Sequence, residues 1–194
     1  MSLCAADIFP RRCVTKLSAV LEAGLVRLEP LADHHIEPLR AACAEDQEIW
    51  NIYPVNMLGE GFDDAMAQFH QMESWVQFAA IDMRTGLVAG MTNYINPDPF
   101  GVVEIGGTYI RPVVRGTDFN RAMKRLLIDN AFGKGFRRIE FRVDTRNARS
   151  MAAVAKLGAV HEGTLRKNRV TWTGYIRDTA VFGLLKEDWQ SQSA

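Results

Sequence analysis

The residue types best able to do chemistry in this chain are packed into one short stretch, Ile110-Arg111-Pro112-Val113-Val114-Arg115-Gly116-Thr117-Asp118-Phe119-Asn120. Val102–Ile110, upstream, is rich in β-branched residues and reads as a strand. Downstream, Phe119, Ala122, Met123, Leu126 and Leu127 recur at the spacing of a helix with one buried face, and Gly133 stands as its end signal. A strand therefore passes through a basic turn straight into a helix. The free N–H groups and positive dipole end at such a helix start suit an anion, and Arg115 adds a fixed charge beside them. A phosphate or pyrophosphate fits that chemistry. The same residues also read as an ordinary tight turn, with Gly116 permitting it and Thr117 or Asp118 capping the helix.

Charge placement favours an anionic ligand over a nucleic acid. Lys plus Arg (23) balances Asp plus Glu (23), so no global basic field points to DNA or RNA. The cations nevertheless concentrate in the second half, from Arg111 through Arg115, Lys124, Arg142 and Arg149 to Arg169. A polyanionic ligand held by that half and a solvated basic face both account for this. Cys4, Cys13 and Cys43 are odd in number and lack metal-type spacing, and the four histidines form no ligand pattern. The expectation is a reducing, cytoplasmic setting and no metal. Apolar runs are too short to span a bilayer.

Residues 1–23 read as an N-terminal extension and 24–190 as one domain. Leu25–Leu31 alternates as a strand, and Asp33 is placed to cap a helix over His34–Ala44. The aromatic-rich Glu45–Gly61 stretch has no period and reads as a packed loop or a pocket wall. Asp63 or Asp64 can start a second helix. Trp75–Ile81 and Leu87–Ile95 flank an Asp-Met-Arg-Thr-Gly turn and form a hairpin. Beyond the central helix, Arg137–Asp144 alternates as a strand parallel to Val102–Ile110. Asn147 caps a short helix with Ser150 at its third position, and two closing strands surround Thr173-Gly174.

This order resembles the GCN5-related N-acetyltransferase (GNAT) superfamily, in its ribosomal-protein N-terminal acetyltransferase-like branch. The likeness is carried by Leu28-Glu29-Pro30-Leu31, Glu104-Ile105-Gly106, Val114-Arg115-Gly116-Thr117, Asn147-Ala148-Arg149-Ser150, Lys156-Leu157-Gly158-Ala159 and Arg177-Asp178-Thr179. It implies a mixed α/β (α+β), mostly antiparallel sheet of six to seven strands, with helices on both faces and a splayed parallel pair. Acetyl-CoA would be the co-substrate and a primary amine, at a protein N-terminus or on a small molecule, the acceptor. Pyrophosphate would meet the backbone of Arg115, Gly116, Thr117, Asp118, Phe119 and Asn120, and pantetheine would pair near Tyr109 and Ile110. Asn147 would contact CoA, and Ser150 would lie near the thioester sulfur. Glu104 is the candidate general base, with Tyr109 in reserve. The chain departs from the family pattern in placing Val113 and Asp118 in the turn, and Val154 where many relatives carry a tyrosine acid. Those departures define the alternative, an acyl-CoA-binding module without turnover. Neither membrane nor nucleic acid is expected as a partner, and the sheet edge near the C-terminal strands offers a possible homodimer contact.

Overall fold

A computed structural model describes residues 16–191. Eight strands form one sheet: β1 (Leu21–Ala23), β2 (Val26–Pro30), β3 (Trp75–Asp82), β4 (Leu87–Ile95), β5 (Val102–Ile110), β6 (Arg138–Asp144), β7 (Val160–Val170) and β8 (Ile176–Leu185). Their order is β1-β2-β3-β4-β5-β6-β8-β7. All neighbours are antiparallel except β5 and β6. The sheet exceeds the expected strand number because Leu21–Ala23 pairs with β2 at the edge, and Leu17 just before it is fully buried. Residues 1–15 of the stretch read as an extension lie outside the described residues.

Among the described residues five helices cover the sheet: α1 (Ile36–Ala44), α2 (Glu60–His70), α3 (Phe119–Gly133), α4 (Ala148–Ala155) and α5 (Lys186–Ser191). Side chains of α3, α4 and α5 join the sheet in one apolar cluster, while α1, α2 and the segment between them build a second around Trp50, Met57, Phe62 and Tyr109. Strand β4 runs between these clusters, so Val88–Ile95 is buried on both faces rather than alternately. Its Tyr94 hydroxyl donates to the Leu127 carbonyl of α3 at 2.6 Å, which satisfies a phenol that has no access to water. Among the described residues no helix is long and apolar enough to cross a membrane.

Three helix boundaries differ from the sequence expectation. A 3-10 turn, Asp33–His35, precedes α1, and Asp33 caps nothing; the Ala32 N–H is taken by His35 Nδ1 at 3.1 Å instead. The second helix starts at Glu60, not Asp63 or Asp64, because Gly59 at φ +51 turns the chain into it without a side-chain cap. For α3, Gly133 is still helical, and the left-handed residue that ends the run is Gly135 at φ +92.

Candidate functional site

The parallel ladder between β5 and β6 is short. It pairs Val102 with Arg138, Val103 with Ile139 and Glu104 with Glu140, and then stops although both strands continue. Beyond Glu104 the β5 chain bulges against β4: Asn93 faces Gly106 but Met91 faces Tyr109. Gly107 makes the bulge possible. Its φ is +56, and a Cβ there would lie 2.5 Å from Asn93 Nδ2, which donates to the Gly106 and Gly107 carbonyls at 3.2 Å each. Gly106 has a different reason, since a Cβ on it would lie 2.8 Å from Glu104 Oε1. Gly107→Ala is therefore expected to destabilise the protein by about 1–3 kcal/mol. Thermal denaturation should show a Tm lower by several degrees.

The bulge also turns backbone groups into the space that β6 has left. Arg111 N–H bonds the Ala89 carbonyl at 2.8 Å, so the alternation of the antiparallel ladder points the Ile110 N–H away from β4, towards the opening. Carbonyls on that side are held: Tyr53 Oη donates to Thr108 O at 2.5 Å and Arg115 Nε to Ile110 O at 2.9 Å. The Ile110 N–H remains as a donor facing the gap.

Two cavities meet there. The larger, about 650 Å³, is walled by Ile110, by the turn at Arg115, Gly116, Thr117 and Asp118, by Asn120 on α3, and by Asn147 and Ser150 at the start of α4. Gly116 takes φ +76, which lets the chain turn into α3. Thr117 Oγ1 donates to Val114 O at 2.7 Å and accepts from the Phe119 N–H at 3.2 Å. The next amides, of Asn120 and Arg121, lie in the first helical turn, where no intrahelical acceptor serves them. Asn147 Oδ1 accepts from the Ser150 N–H at 3.0 Å, so it is a helix cap and a cavity wall at once.

Several expectations at this cavity are corrected. Phe119 does not line it: the ring is fully buried in the core and its amide is spent on Thr117. Arg115 is not a free cation beside an anion site, because its guanidinium is ion-paired with Asp46 and braces the turn to the segment after α1. Tyr109 is unsuited to proton transfer. Its phenol donates to Ala42 O at 2.6 Å, its ring packs on Trp50, and burial pushes its pKa further up. Asp118 is exposed and makes no side-chain cap bond. Cations that the motif did not single out, Arg121, Arg149 and Lys156, line the rim.

In the sequence Lys124 reads as one more basic residue of a helix. It is 6% exposed, and Nζ donates to Thr108 Oγ1 at 2.6 Å, which in turn bonds Thr92 Oγ1 at 2.8 Å. Burial lowers its pKa to about 7. The available signal was its spacing with Ile128 and Ala131 on the inner arc of α3.

The second cavity, about 300 Å³, shares Tyr53, Thr108, Tyr109 and Asn147 with the first. Glu104 lines it, with its side chain 13% exposed and 3.5 Å from Arg142 Nε. Burial raises the Glu104 pKa, while Arg169 and Arg142 oppose that rise. Trp50, Ile52, Tyr53, Val55 and Met57 come from the aperiodic stretch, which is thus a pocket wall carrying a 3-10 turn, Glu48–Ile52. A carboxylate in one cavity and helix-start amides in the other, joined at a strand gap, can bring together an amine and a phosphate-bearing acyl carrier.

Comparison with known proteins agrees with that geometry. The model of the acetyltransferase (GNAT) domain matches residues 26–160. A Thermus thermophilus protein assigned to the acetyltransferases is 34% identical, with a TM-score of 0.79 over 89% of this chain and 92% of its own. A GCN5-related N-acetyltransferase from Brucella melitensis is 30% identical, with a TM-score of 0.78 over 89% of this chain and 81% of its own. At 19% identity, the ribosomal-protein-S5-alanine acetyltransferase from Vibrio fischeri shares the fold, with a TM-score of 0.72 over 88% of this chain and 98% of its own. No curated protein matches the chain.

Proposed function

Because the chain belongs to the GNAT acetyltransferases, whose co-substrate is acetyl-CoA, we propose that it moves the acetyl group to a primary amine by direct attack within a ternary complex. The observation that carries this is the parting of β5 and β6 after Glu104 and Glu140, beside a cavity that ends at the start of α3. CoA would occupy the larger cavity, with its pyrophosphate at the backbone of Gly116, Thr117, Asn120 and Arg121 and its phosphates within reach of Arg121, Arg149 and Lys156. The amine would enter from the smaller one.

In the step itself the amine nitrogen attacks the thioester carbon, an N–C bond forms and the C–S bond breaks. Glu104 takes the amine proton, directly or through water, a role for which a carboxyl of raised pKa is better suited than an ordinary one. The Ile110 N–H faces the gap where the carbonyl oxygen gains charge. Ser150, whose N–H is fixed by Asn147, offers its hydroxyl proton to the departing thiolate. Tyr109 has no part in this, and Val154, 5% exposed in the core, supplies no acid.

Saturating acetyl-CoA should raise Tm by several degrees, since ligand at 100-fold over Kd adds about 2.7 kcal/mol. Ser150→Ala should keep that shift and lose about tenfold or more in kcat when CoA thiol is followed with an amine and peptide panel. Asn147→Ala should weaken both, because it removes a cap worth about 1 kcal/mol as well as a cavity wall. No thermal shift at all would refute the acyl-CoA reading. A shift without thiol release from any acceptor would leave the binding module that Asp118 and Val154 suggest.

A further inference from the structure

The acceptor cavity carries a charge arrangement that acetyl transfer by itself does not require. Arg142 on β6, Arg169 on β7 and Arg177 on β8 line the same space as Glu104. Arg169 and Arg177 stand directly opposite each other in the β7–β8 register, where like charges repel. Arg177 is only 5% exposed, and its hydrogen bond among the described residues runs from Nε to Thr179 Oγ1 at 3.2 Å. It forms no ion pair there. Asp144 and Glu104 act on it through their charge, and Asp144 is itself engaged by Arg146 at 2.7 Å. Arg142 shares Glu140 at 3.2 Å and Glu104 at 3.5 Å, yet its buried Nε has no hydrogen-bond partner among the described residues.

A buried guanidinium held against a second one is costly unless something anionic completes it. The planar fork of arginine matches a carboxylate in two parallel hydrogen bonds. Trp50, Tyr53, Met57 and Trp75 close the cavity with apolar surface, so the anion would be a group on a small molecule or a chain end rather than an extended polyanion. With Arg142 paired to Glu140 and Glu104 and Asp144 paired to Arg146, Arg169 and Arg177 leave the cavity with surplus positive charge, which disfavours a polyamine, whose additional ammonium groups would be repelled.

We infer that the acceptor is an amine bearing a carboxylate a few bonds from its nitrogen, with the carboxylate held by Arg177 and Arg169 while the nitrogen faces Glu104. This rests on the acetyl-transfer reading and narrows its substrate class to amino acids and acidic peptide termini.

The test follows CoA thiol release with free amino acids, their amides, a peptide amide with an acidic second residue, spermidine and O-phosphoethanolamine. The preferred amino acid should exceed its own amide by about 100-fold or more in kcat/KM, chiefly through KM. Arg177→Gln should narrow that ratio about tenfold or more while the acetyl-CoA thermal shift is kept. Arg169→Gln should do the same on an exposed position that folding tolerates. Preference for the acidic peptide amide would support the inference and assign the carboxylate to a side chain. Equal use of acid and amide, or preference for spermidine or O-phosphoethanolamine, would overturn it. Calorimetric titration of the CoA-bound protein with N-acetyl amino acids and their amides separates the two readings. Carboxylate-dependent binding that Arg177→Gln abolishes, without turnover of any amine, would remove the transfer reading and keep this one. Carboxylate-independent binding would remove this one whatever the turnover.

Discussion

Glu104→Gln is expected to lower kcat/KM by about 10²–10⁴-fold, the range that a positioned general base contributes. The substitution keeps the side-chain shape next to Gly106, where Oε1 lies 2.8 Å from the position a Cβ would take, so the bulge survives and acetyl-CoA should still raise Tm. What changes is the pH profile. Burial raises the Glu104 pKa from its ordinary value, against the pull of Arg169 and Arg142, and only the ionised form accepts a proton. Wild-type kcat/KM should therefore climb as pH rises through that raised pKa, and the Gln variant should lack this limb. The ion pair with Arg142 gives the competing account, in which Glu104 merely holds that arginine in place. The two separate cleanly: a variant within about threefold of wild type, with the rising limb intact, would mean that the amine arrives neutral and that Glu104 is structural.

The sequence disclosed those parts of the site that are local in the chain. The strand, turn and helix around Gly116 and the cap at Asn147 could be read because each lies within a few residues and repeats a backbone pattern with its own chemistry. Helix starts were misplaced where that chemistry is absent: Gly59 starts α2 by backbone conformation alone, and Asp33, a good cap by type, caps nothing. The side-chain roles expected of Arg115 as a free cation and of Tyr109 as a reserve base fail for another reason. Their partners, Asp46 and the Ala42 carbonyl, lie more than sixty residues away and come from the segment with no period or the helix just before it. The arginine wall of the acceptor cavity was hidden in the same way, since it forms only when β8 inserts between β6 and β7 and sets Arg177 across from Arg169. Polar pairing across the sheet is information that a linear pattern does not carry.

Lys124→Met should stabilise the protein, and the gain should depend on pH. The Nζ donates to Thr108 Oγ1 and has no carboxylate partner among the described residues, so burial favours the neutral amine and lowers the pKa to about 7 from an ordinary value of 10.5. Below about pH 7 both folded and unfolded chains carry the proton, and the folded state bears the full cost of a buried ammonium. Between about 7 and 10.5 the unfolded chain binds more protons than the folded one, so wild-type stability rises with pH across that window. Methionine fills a similar volume without a charge, and Thr108 keeps its bond to Thr92. Denaturant unfolding should thus give the variant an advantage on the order of 3 kcal/mol at pH 6, shrinking steadily towards pH 10. An advantage that is absent at pH 6, or unchanged across the window, would mean that the amine stays charged and solvated at the junction of the two cavities. The pH trend matters for function as well, because Thr108 lines both cavities and a neutral Lys124 leaves that junction without a positive charge of its own.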